Sequence, residues 1–307
     1  MSIIIVFTIF CLNLFSFEDN ENNTFSFDFN YEVVFDQAGI MEAWIPVPQN
    51  GIFQTIEKLS VETNLPYRME VDSIYHNLFL HVPPLDFSGI DTLKLQFRVH
   101  RQEASTYEDE LKNSTPDLFL QPYVKVPLDP GFYSLTDSLN GNGISNPRNI
   151  YELILNHMQY DKSGKGWGLG DAVYACDVGK GNCTDYHSLF NALMRLREIP
   201  ARFNIGFPIP KGSSGQVTGY HCWTEFSQDG TNWTPVDISN ADKNPGKENY
   251  YFGSLDNRRV KFTVGRDIPL PGGTEEDVVN FSIYPYVKTD GVVSKGTTTR
   301  FRYTILD

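Results

Sequence analysis

The stretch GKGNCTDYHSLF, residues Gly179 to Phe190, places a cysteine directly at the start of an amphipathic helical pattern. Asn182 is a good N-cap residue, so Cys183 is predicted to be the first helical residue and Asp185 the third. A thiol at that position lies in the positive potential of a helix N-terminus, which favours the thiolate and lowers the pKa below the free value of about 8.5. The pattern therefore indicates a cysteine nucleophile, with a buried packing cysteine as the alternative.

A nucleophilic cysteine needs a base, and two downstream segments offer a histidine and an acid. GYHCWTEF contains His221 and NWTPVDIS contains Asp237, on either side of the turn-like SQDGT. A hairpin with a three-residue loop from Gln228 to Gly230 predicts that His221 and Asp237 are directly opposed. Their Cβ atoms would then be about 4.5–5.5 Å apart, within reach of a carboxylate–imidazole hydrogen bond. Cys183, His221 and Asp237 thus fit thiol acyl transfer as nucleophile, general base and orienting residue.

Composition limits the remaining function classes. The chain has 307 residues, 40% of them hydrophobic, which is enough for a sizeable core and predicts two domains. Its net charge is -13 and its first basic residue is Lys58, so a nucleic-acid surface is not expected. Residues 1–17 are predicted to be a signal peptide or short anchor, because an uncharged apolar run precedes the polar EDNENNT. We therefore expect an extracytoplasmic protein, with no membrane contact beyond a possible N-terminal anchor.

Two architectures follow one another along the chain. Residues 18–116 contain short alternating segments such as FSFDFNYEVVF and DTLKLQFRVH, separated by Gly, Pro, Asn and Asp, and are predicted to form a β-sandwich. Residues 117–307 begin with helical patterns, of which SNPRNIYELILNHMQY is the first, and continue as strand-like runs. The second part is therefore predicted to be an α+β domain, with helices packed on an antiparallel sheet.

Three blocks of the second part resemble the signature blocks of the transglutaminase-like superfamily, whose domain has a papain-like fold. They are GNCTDYHSLFNALMRLREIPARFNIGFPIP, GYHCWTEF and WTPVDIS, and the similarity extends over about residues 117–291. A preceding β-sandwich is typical of such proteins. The resemblance implies Cys183 as nucleophile, His221 as base and Asp237 as its partner. It implies no cofactor and no metal, and no calcium-loop pattern is visible in the sequence.

The blocks also suggest supporting residues. The upstream Gly-rich GKGWGLG places Trp167 where it would shape the acyl pocket, with simple packing as the alternative. Trp223, two residues after His221, would share a strand face with the imidazole and shield it. Cys222 would point away from the site by the same alternation and belong to the core. The backbone N–H of Cys183 would serve as the oxyanion donor.

Three other interpretations remain open. Cys176, Cys183, His187 and Cys222 could bind zinc, although no Cys-x-x-Cys pair is present. The cysteines could form a disulfide, with Cys176 to Cys222 as the favoured pair. The fold could also serve as a catalytically silent binding module.

The preferred hypothesis is a secreted or periplasmic enzyme that hydrolyses, rather than transamidates, a peptide or protein substrate, with cell-wall peptides among the candidates. The oligomeric state is left open.

Overall fold

The computed structural model describes residues 24–109, 115–136 and 146–306. The predicted leader, residues 1–17, therefore lies outside the described residues. No helix within these three ranges is long and apolar enough to cross a membrane. The helices are α1 (Tyr133–Thr136), α2 (Pro147–His157), α3 (Ala172–Val178), α4 (Cys183–Arg195) and α5 (Ile238–Lys243), with 3₁₀ turns at Pro116–Leu120 and Pro130–Phe132. The strands are β1 (Phe25–Val47), β2 (Gln54–Glu62), β3 (Arg68–Val71), β4 (Leu78–Arg101), β5 (Tyr107–Glu108), β6 (Gln159–Tyr160), β7 (Lys180–Gly181), β8 (Ala201–Pro208), β9 (Ser214–Gln216), β10 (His221–Phe226), β11 (Asn232–Val236), β12 (Arg259–Val264), β13 (Ile268–Pro269), β14 (Val278–Val279), β15 (Tyr286–Thr289), β16 (Val292–Val293) and β17 (Thr297–Ile305).

The first sheet has eight strands and is built around β1 and β4. These two strands have 23 and 24 residues and pair with each other in antiparallel orientation along nearly their whole length. Strands β15 and β17 pair with β1 from its other side, and β2 and β3 pair with β4. The apolar positions that alternate along β1, as the sequence predicts, are buried: Phe27, Phe29, Tyr31, Val33 and Phe35. The sheet therefore unites strands from both ends of the described chain.

The second sheet has five antiparallel strands in the order β12-β8-β10-β11-β5. Helix α4 packs against its β8 and β10 strands, and every residue of α4 is buried. A helix that is buried on all sides requires neighbours on all sides, and α2, α3 and α5 supply the rest. This arrangement confirms the predicted mixture of helices and antiparallel strands in the second part of the chain.

The two sheets pack face to face through aromatic rings. Phe207 of β8 has its ring centroid 5.7 Å from that of Phe29 in β1 and 4.2 Å from that of Phe301 in β17. Phe262 of β12 lies 6.2 Å from Tyr31. A large part of the hydrophobic core therefore lies between the sheets rather than inside either part of the chain.

The division into residues 18–116 and 117–307 stays a prediction, as does a self-contained N-terminal sandwich. Strands β1 to β4 all lie in the first sheet, and the layer that faces them includes β8 and β12. Strand β5 instead joins the edge of the second sheet, and β15 and β17 join the first. Each sheet thus contains strands from both sides of the predicted boundary.

Candidate active site

Helix α4 begins at Cys183, where the capping signal in the sequence predicts its start. The Asn182 side chain accepts the backbone N–H of Thr184 at 2.9 Å. The Asp185 carboxylate in turn accepts the backbone N–H of Asn182 at 2.9 Å, which completes a capping box. The cap fixes Cys183 as the first residue of the helix, with its side chain buried.

The Asp185 carboxylate also holds the glycine-rich loop that precedes the helix. It accepts the backbone N–H groups of Gly168 at 2.7 Å and Gly170 at 3.0 Å. Both glycines have positive φ, 81° and 61°, a conformation that glycine adopts without strain. Trp167 lies in this loop and is half-buried. The sequence predicts Asp185 only at the helix start, and its contact with the loop was not predicted. The role of Trp167 stays a prediction.

His221 and Asp237 form a buried hydrogen-bonded pair. His221 Nε2 lies 2.7 Å from Asp237 Oδ2, and both residues are buried. Because Nε2 faces the carboxylate, Nδ1 is the ring nitrogen left to face Cys183. The chain positions His221 as the first residue of β10, while Asp237 is the N-cap of α5, directly after β11.

The predicted register of this hairpin is wrong by two residues. Phe226 pairs with Thr234, whereas the three-residue loop required Phe226 to face position 232. The loop is longer because the Asp229 carboxylate accepts the backbone N–H groups of Thr231 at 2.9 Å and Asn232 at 2.7 Å, which stabilises a wider turn. The pairing of β10 with β11 ends at Thr224 and Val236, so His221 and Asp237 lie beyond the paired positions and meet through their side chains.

Arg259 is a buried residue of the site that the sequence analysis missed. Its guanidinium donates to Asp237 Oδ2 at 3.0 Å and to Asp256 Oδ2 at 2.6 Å. Burial alone would raise the pKa of Asp237, but the charges and hydrogen bonds of His221 and Arg259 hold it well below its ordinary range. The Arg259 guanidinium also lies 5.1 Å from the ring centroid of the buried Trp223. Shielding of His221 by Trp223 stays a prediction.

The surroundings of Cys183 favour its thiolate. Burial raises the pKa of the thiol, but hydrogen bonds to Cys222 and His221, and the charge of His221, outweigh burial and hold the pKa well below its ordinary range. Burial lowers the pKa of His221, and the charge and hydrogen bond of Asp237 more than compensate, so that the pKa is raised. Both shifts favour the charged forms, a thiolate on Cys183 and an imidazolium on His221.

The orientation predicted for Cys222 is wrong. Its Sγ lies 3.5 Å from Nδ1 of His187 on α4, and its interaction with Cys183 lowers the pKa of that thiol. Thr224, two residues further along β10, also reaches α4, where it donates to Asn191 Oδ1. Cys222 and Thr224 therefore lie on the helix-facing side of the strand. His221 escapes this alternation because it is the first strand residue and its ring reaches past the strand end to Asp237.

The described residues argue against convergence of the four proposed zinc ligands. Cys176 is packed among the helices instead, where its carbonyl oxygen accepts a hydrogen bond from His157. Nε2 of His187 is occupied by the backbone N–H of Ile238 at 3.1 Å. No group of three or more His, Cys, Asp or Glu side chains in these ranges is arranged to hold a metal ion. Cys176, Cys183 and Cys222 are all free thiols in the structure.

Fold and site together define an α+β domain with a cysteine at a helix start and a histidine–aspartate pair on the adjoining sheet. Residues 134–238 match the family model of the transglutaminase-like superfamily. The chain therefore contains a transglutaminase-like domain, which confirms the family that the three sequence blocks resemble.

Relatives and solved structures extend the similarity beyond that domain. An uncharacterized protein of Haemophilus influenzae is 26% identical over 326 residues, which cover 89% of this chain and 88% of that protein. A crystal structure of a proposed cysteine protease from Cytophaga hutchinsonii aligns with a TM-score of 0.62 and 17% identity, covering 93% of this chain and 92% of that one. The periplasmic domain of TgpA from Pseudomonas aeruginosa aligns with a TM-score of 0.39 and 15% identity, covering 71% and 89% of the two chains. The Cytophaga structure supports the fold along almost the whole chain.

Proposed function

We propose that the protein is an extracytoplasmic cysteine-dependent acyl-transfer enzyme that acts on peptide-like amide bonds. The observation that carries the proposal is the buried pair of His221 and Asp237, 2.7 Å apart, beside a cysteine at a helix N-terminus. The lowered pKa of Cys183 and the raised pKa of His221 supply a nucleophile and a proton donor at the same pH. The match of residues 134–238 to the transglutaminase-like superfamily includes all three positions and supports the proposal.

The chemistry proceeds in two halves. The Cys183 thiolate attacks the amide carbonyl carbon, and the carbonyl oxygen becomes an oxyanion that faces the backbone N–H of Cys183. The His221 imidazolium then protonates the leaving amine as the carbon–nitrogen bond breaks, which leaves a thioester on Cys183. In the second half, neutral His221 takes a proton from water and the resulting hydroxide attacks the thioester carbonyl carbon. The carbon–sulfur bond then breaks, the acid product leaves, and the Cys183 thiolate and His221 imidazolium are regenerated. Asp237 keeps the imidazole in one orientation throughout.

Hydrolysis is the preferred outcome, and a peptide or protein is the preferred substrate, with cell-wall peptides among the candidates. An amine acceptor would use the same residues up to the thioester, so transamidation differs only in the last attack. No cofactor is required for either outcome. The extracytoplasmic location rests on the apolar run of residues 1–17.

Alkylation of the thiols tests the nucleophile directly. Iodoacetamide is expected to label Cys183 faster than Cys176 or Cys222 at near-neutral pH, because Cys183 alone has a lowered thiol pKa whereas burial raises those of the other two. His221→Ala should move the midpoint of Cys183 labelling up toward the ordinary value of about 8.5. Peptide mapping by mass spectrometry identifies the labelled residue at each pH. Equal, slow labelling of all three thiols in the wild type would disprove the nucleophile.

Turnover should follow a bell-shaped pH profile. Activity requires a deprotonated Cys183, whose pKa is lowered, and a protonated His221, whose pKa is raised. The rate is therefore lost as the pH falls through the first value and again as it rises through the second. A screen of cell-wall peptides, denatured proteins and amine acceptors supplies the substrate for this measurement, and Cys183→Ala serves as the inactive control.

A catalytically silent binding module is the second candidate, and burial of the site favours it. Cys183 is 2% exposed and His221 is 5% exposed, so a substrate carbonyl has no direct path to the sulfur in this conformation. A peptide-aldehyde probe separates the two functions. A covalent adduct on Cys183 supports the enzyme, whereas a reactive Cys183 that never forms the adduct supports the binding module.

A further inference from the structure

His187 lies one helical turn after Cys183 on α4 and has no part in the acyl-transfer steps described above. It is fully buried. Its Nε2 accepts the backbone N–H of Ile238 at 3.1 Å. Because an amide N–H can only donate, Nε2 must be unprotonated, and the ring proton is therefore on Nδ1. Burial lowers the pKa of His187 to about 4, so the ring stays neutral near neutral pH.

The protonated Nδ1 of His187 determines what Cys222 can do. Cys222 Sγ lies 3.5 Å from that nitrogen, and the backbone carbonyl of Cys183 is hydrogen-bonded to the same ring. The single proton on Nδ1 is shared between the Cys183 carbonyl oxygen and the Cys222 sulfur. Because Nδ1 has no free lone pair, it cannot accept from Cys222, and the S–H of Cys222 remains available. Cys222 also interacts with the sulfur of Cys183, one helical turn before His187, and this interaction raises the pKa of Cys222 and lowers that of Cys183.

We propose that Cys222 is a positioning residue of this site, whose S–H, oriented by His187, donates a hydrogen bond to the Cys183 thiolate. The inference rests on the proposed function, in which Cys183 is the nucleophile. The donors then run in one direction, from the Ile238 amide to His187, from His187 to Cys222, and from Cys222 to Cys183. A thiolate held by both Cys222 and His221 is stabilised in its charged form and kept at one place in the pocket.

The two sulfurs differ in charge, as this arrangement requires. Burial raises the pKa of Cys222 well above its ordinary range, and the hydrogen bond to Cys183 and its charge raise it further. The pKa of Cys183 is shifted the opposite way, so the proton that the two sulfurs share near neutral pH stays on Cys222. The other titratable side chains that act on the pair come from several neighbouring elements: His221, Asp237, Asp185, Tyr160, Tyr220, Tyr284 and Arg266.

The test measures the pH dependence of iodoacetamide labelling at Cys183, with each variant checked by thermal unfolding. Cys222→Ala removes the donor and should raise the labelling midpoint by on the order of one pH unit. Cys222→Ser keeps a short hydroxyl donor and should restore most of the shift. Cys176→Ser removes a thiol that lies among the helices and should leave the midpoint unchanged. A role in packing alone would not be rescued by serine in preference to alanine.

The outcomes separate this inference from the proposed function. If Cys222→Ala and the wild type share one midpoint while His221→Ala still raises it, the positioning role is disproved and the nucleophile stands. If His221→Ala has no effect and Cys183 is not preferentially labelled, both proposals fall. The wild type alone provides a check that needs no stable variant: labelling of Cys222 as fast as Cys183 at neutral pH would overturn the role of donor.

Discussion

Arg259 links Asp237 to a second acid, Asp256. Its guanidinium contacts the carboxylates of Asp237 and Asp256 and lies over the ring of Trp223. An arginine and the two acids that it bridges each lose solvation on burial. Their charges offset this cost only while all three groups are present, so removing one leaves the others with unpaired charge. The orientation of the imidazole therefore depends on a residue that does not contact it.

Replacing Arg259 by methionine is expected to destabilise the protein by about 3–5 kcal/mol, because Asp237 would remain buried without its cation. Urea unfolding measures this loss. Arg300→Met is the matched control: the Arg300 side chain is 55% exposed and paired with Glu32, and such surface pairs contribute about 0–1 kcal/mol. Equal effects of the two substitutions would show that the buried network does not hold Asp237.

At this scale the sequence identifies some residues of the site and misses others for a physical reason. Cys183 could be singled out because capping is local and its signal lies within a few letters. Arg259 could not be identified, because the alternation along a strand predicts the face on which a side chain lies but not the acidic residue that it contacts. Cys222 was assigned to the wrong side because alternation was counted from His221, whose ring leaves the strand at its end.

The start of α4 joins two elements through one carboxylate. Asp185 closes the capping box at Asn182 and also accepts the amides of Gly168 and Gly170. Burial raises the pKa of Asp185, although these three donors favour its charged form. The loop and the helix start are therefore predicted to loosen together.

Asp185→Asn should destabilise the protein by about 1–2 kcal/mol and increase cleavage of residues 164–170 by a protease, because the amide nitrogen replaces one carboxylate oxygen and faces at least one of the three backbone donors. The control is Asp171→Asn, at the N-cap of α3, where asparagine caps about as well as aspartate. Unfolding curves and peptide mapping of the cleavage products measure both effects. A stable Asp185→Asn variant with an intact loop would contradict the connection.

The β10–β11 hairpin shows which features of a local element the sequence predicts and which it does not. Its two strands and the proximity of His221 to Asp237 agree with the prediction, but the two residues lie beyond the paired positions, which end at Thr224 and Val236, and meet through a side-chain hydrogen bond. The turn was not, because Asp229 uses its side chain to stabilise a longer loop than the position of Gly230 suggests. Side-chain to backbone hydrogen bonds of this kind compete with the simplest turn and set the register.

At the scale of the whole molecule, the two sheets share one aromatic core. Phe207 lies in β8 of the second sheet, and its ring contacts Phe29 of β1 and Phe301 of β17 in the first sheet. No local signal predicts that β17 pairs with β1, since the two strands stand at opposite ends of the described chain. The predicted boundary between residues 18–116 and 117–307 lies where the composition changes, but strand pairing crosses it in both sheets.

Phe207→Ala is expected to destabilise the protein by about 3–5 kcal/mol, because it leaves a cavity between the sheets. The loss should appear in a single unfolding transition, seen at the same temperature by tryptophan fluorescence and by circular dichroism. Ile90→Ala serves as control, since Ile90 is 72% exposed and its truncation should change stability by less than about 0.5 kcal/mol. Two separate transitions would instead support independent folding of residues 18–116.

The enclosure of the thiolate also sets a kinetic limit on its chemistry. Cys183 is 2% exposed, so its sulfur reacts only during the fraction of time in which its cover is displaced, and the observed rate is the intrinsic rate multiplied by that population. Were the open form populated at roughly 1%, alkylation would run about 100-fold more slowly than for a free thiolate of equal pKa. A peptide that binds the open form would remove this factor by shifting the equilibrium, which a small reagent cannot do. The ratio of the reaction rate of Cys183 with a bound peptide to its alkylation rate with a small reagent would thus measure how strongly the enclosure favours a bound substrate.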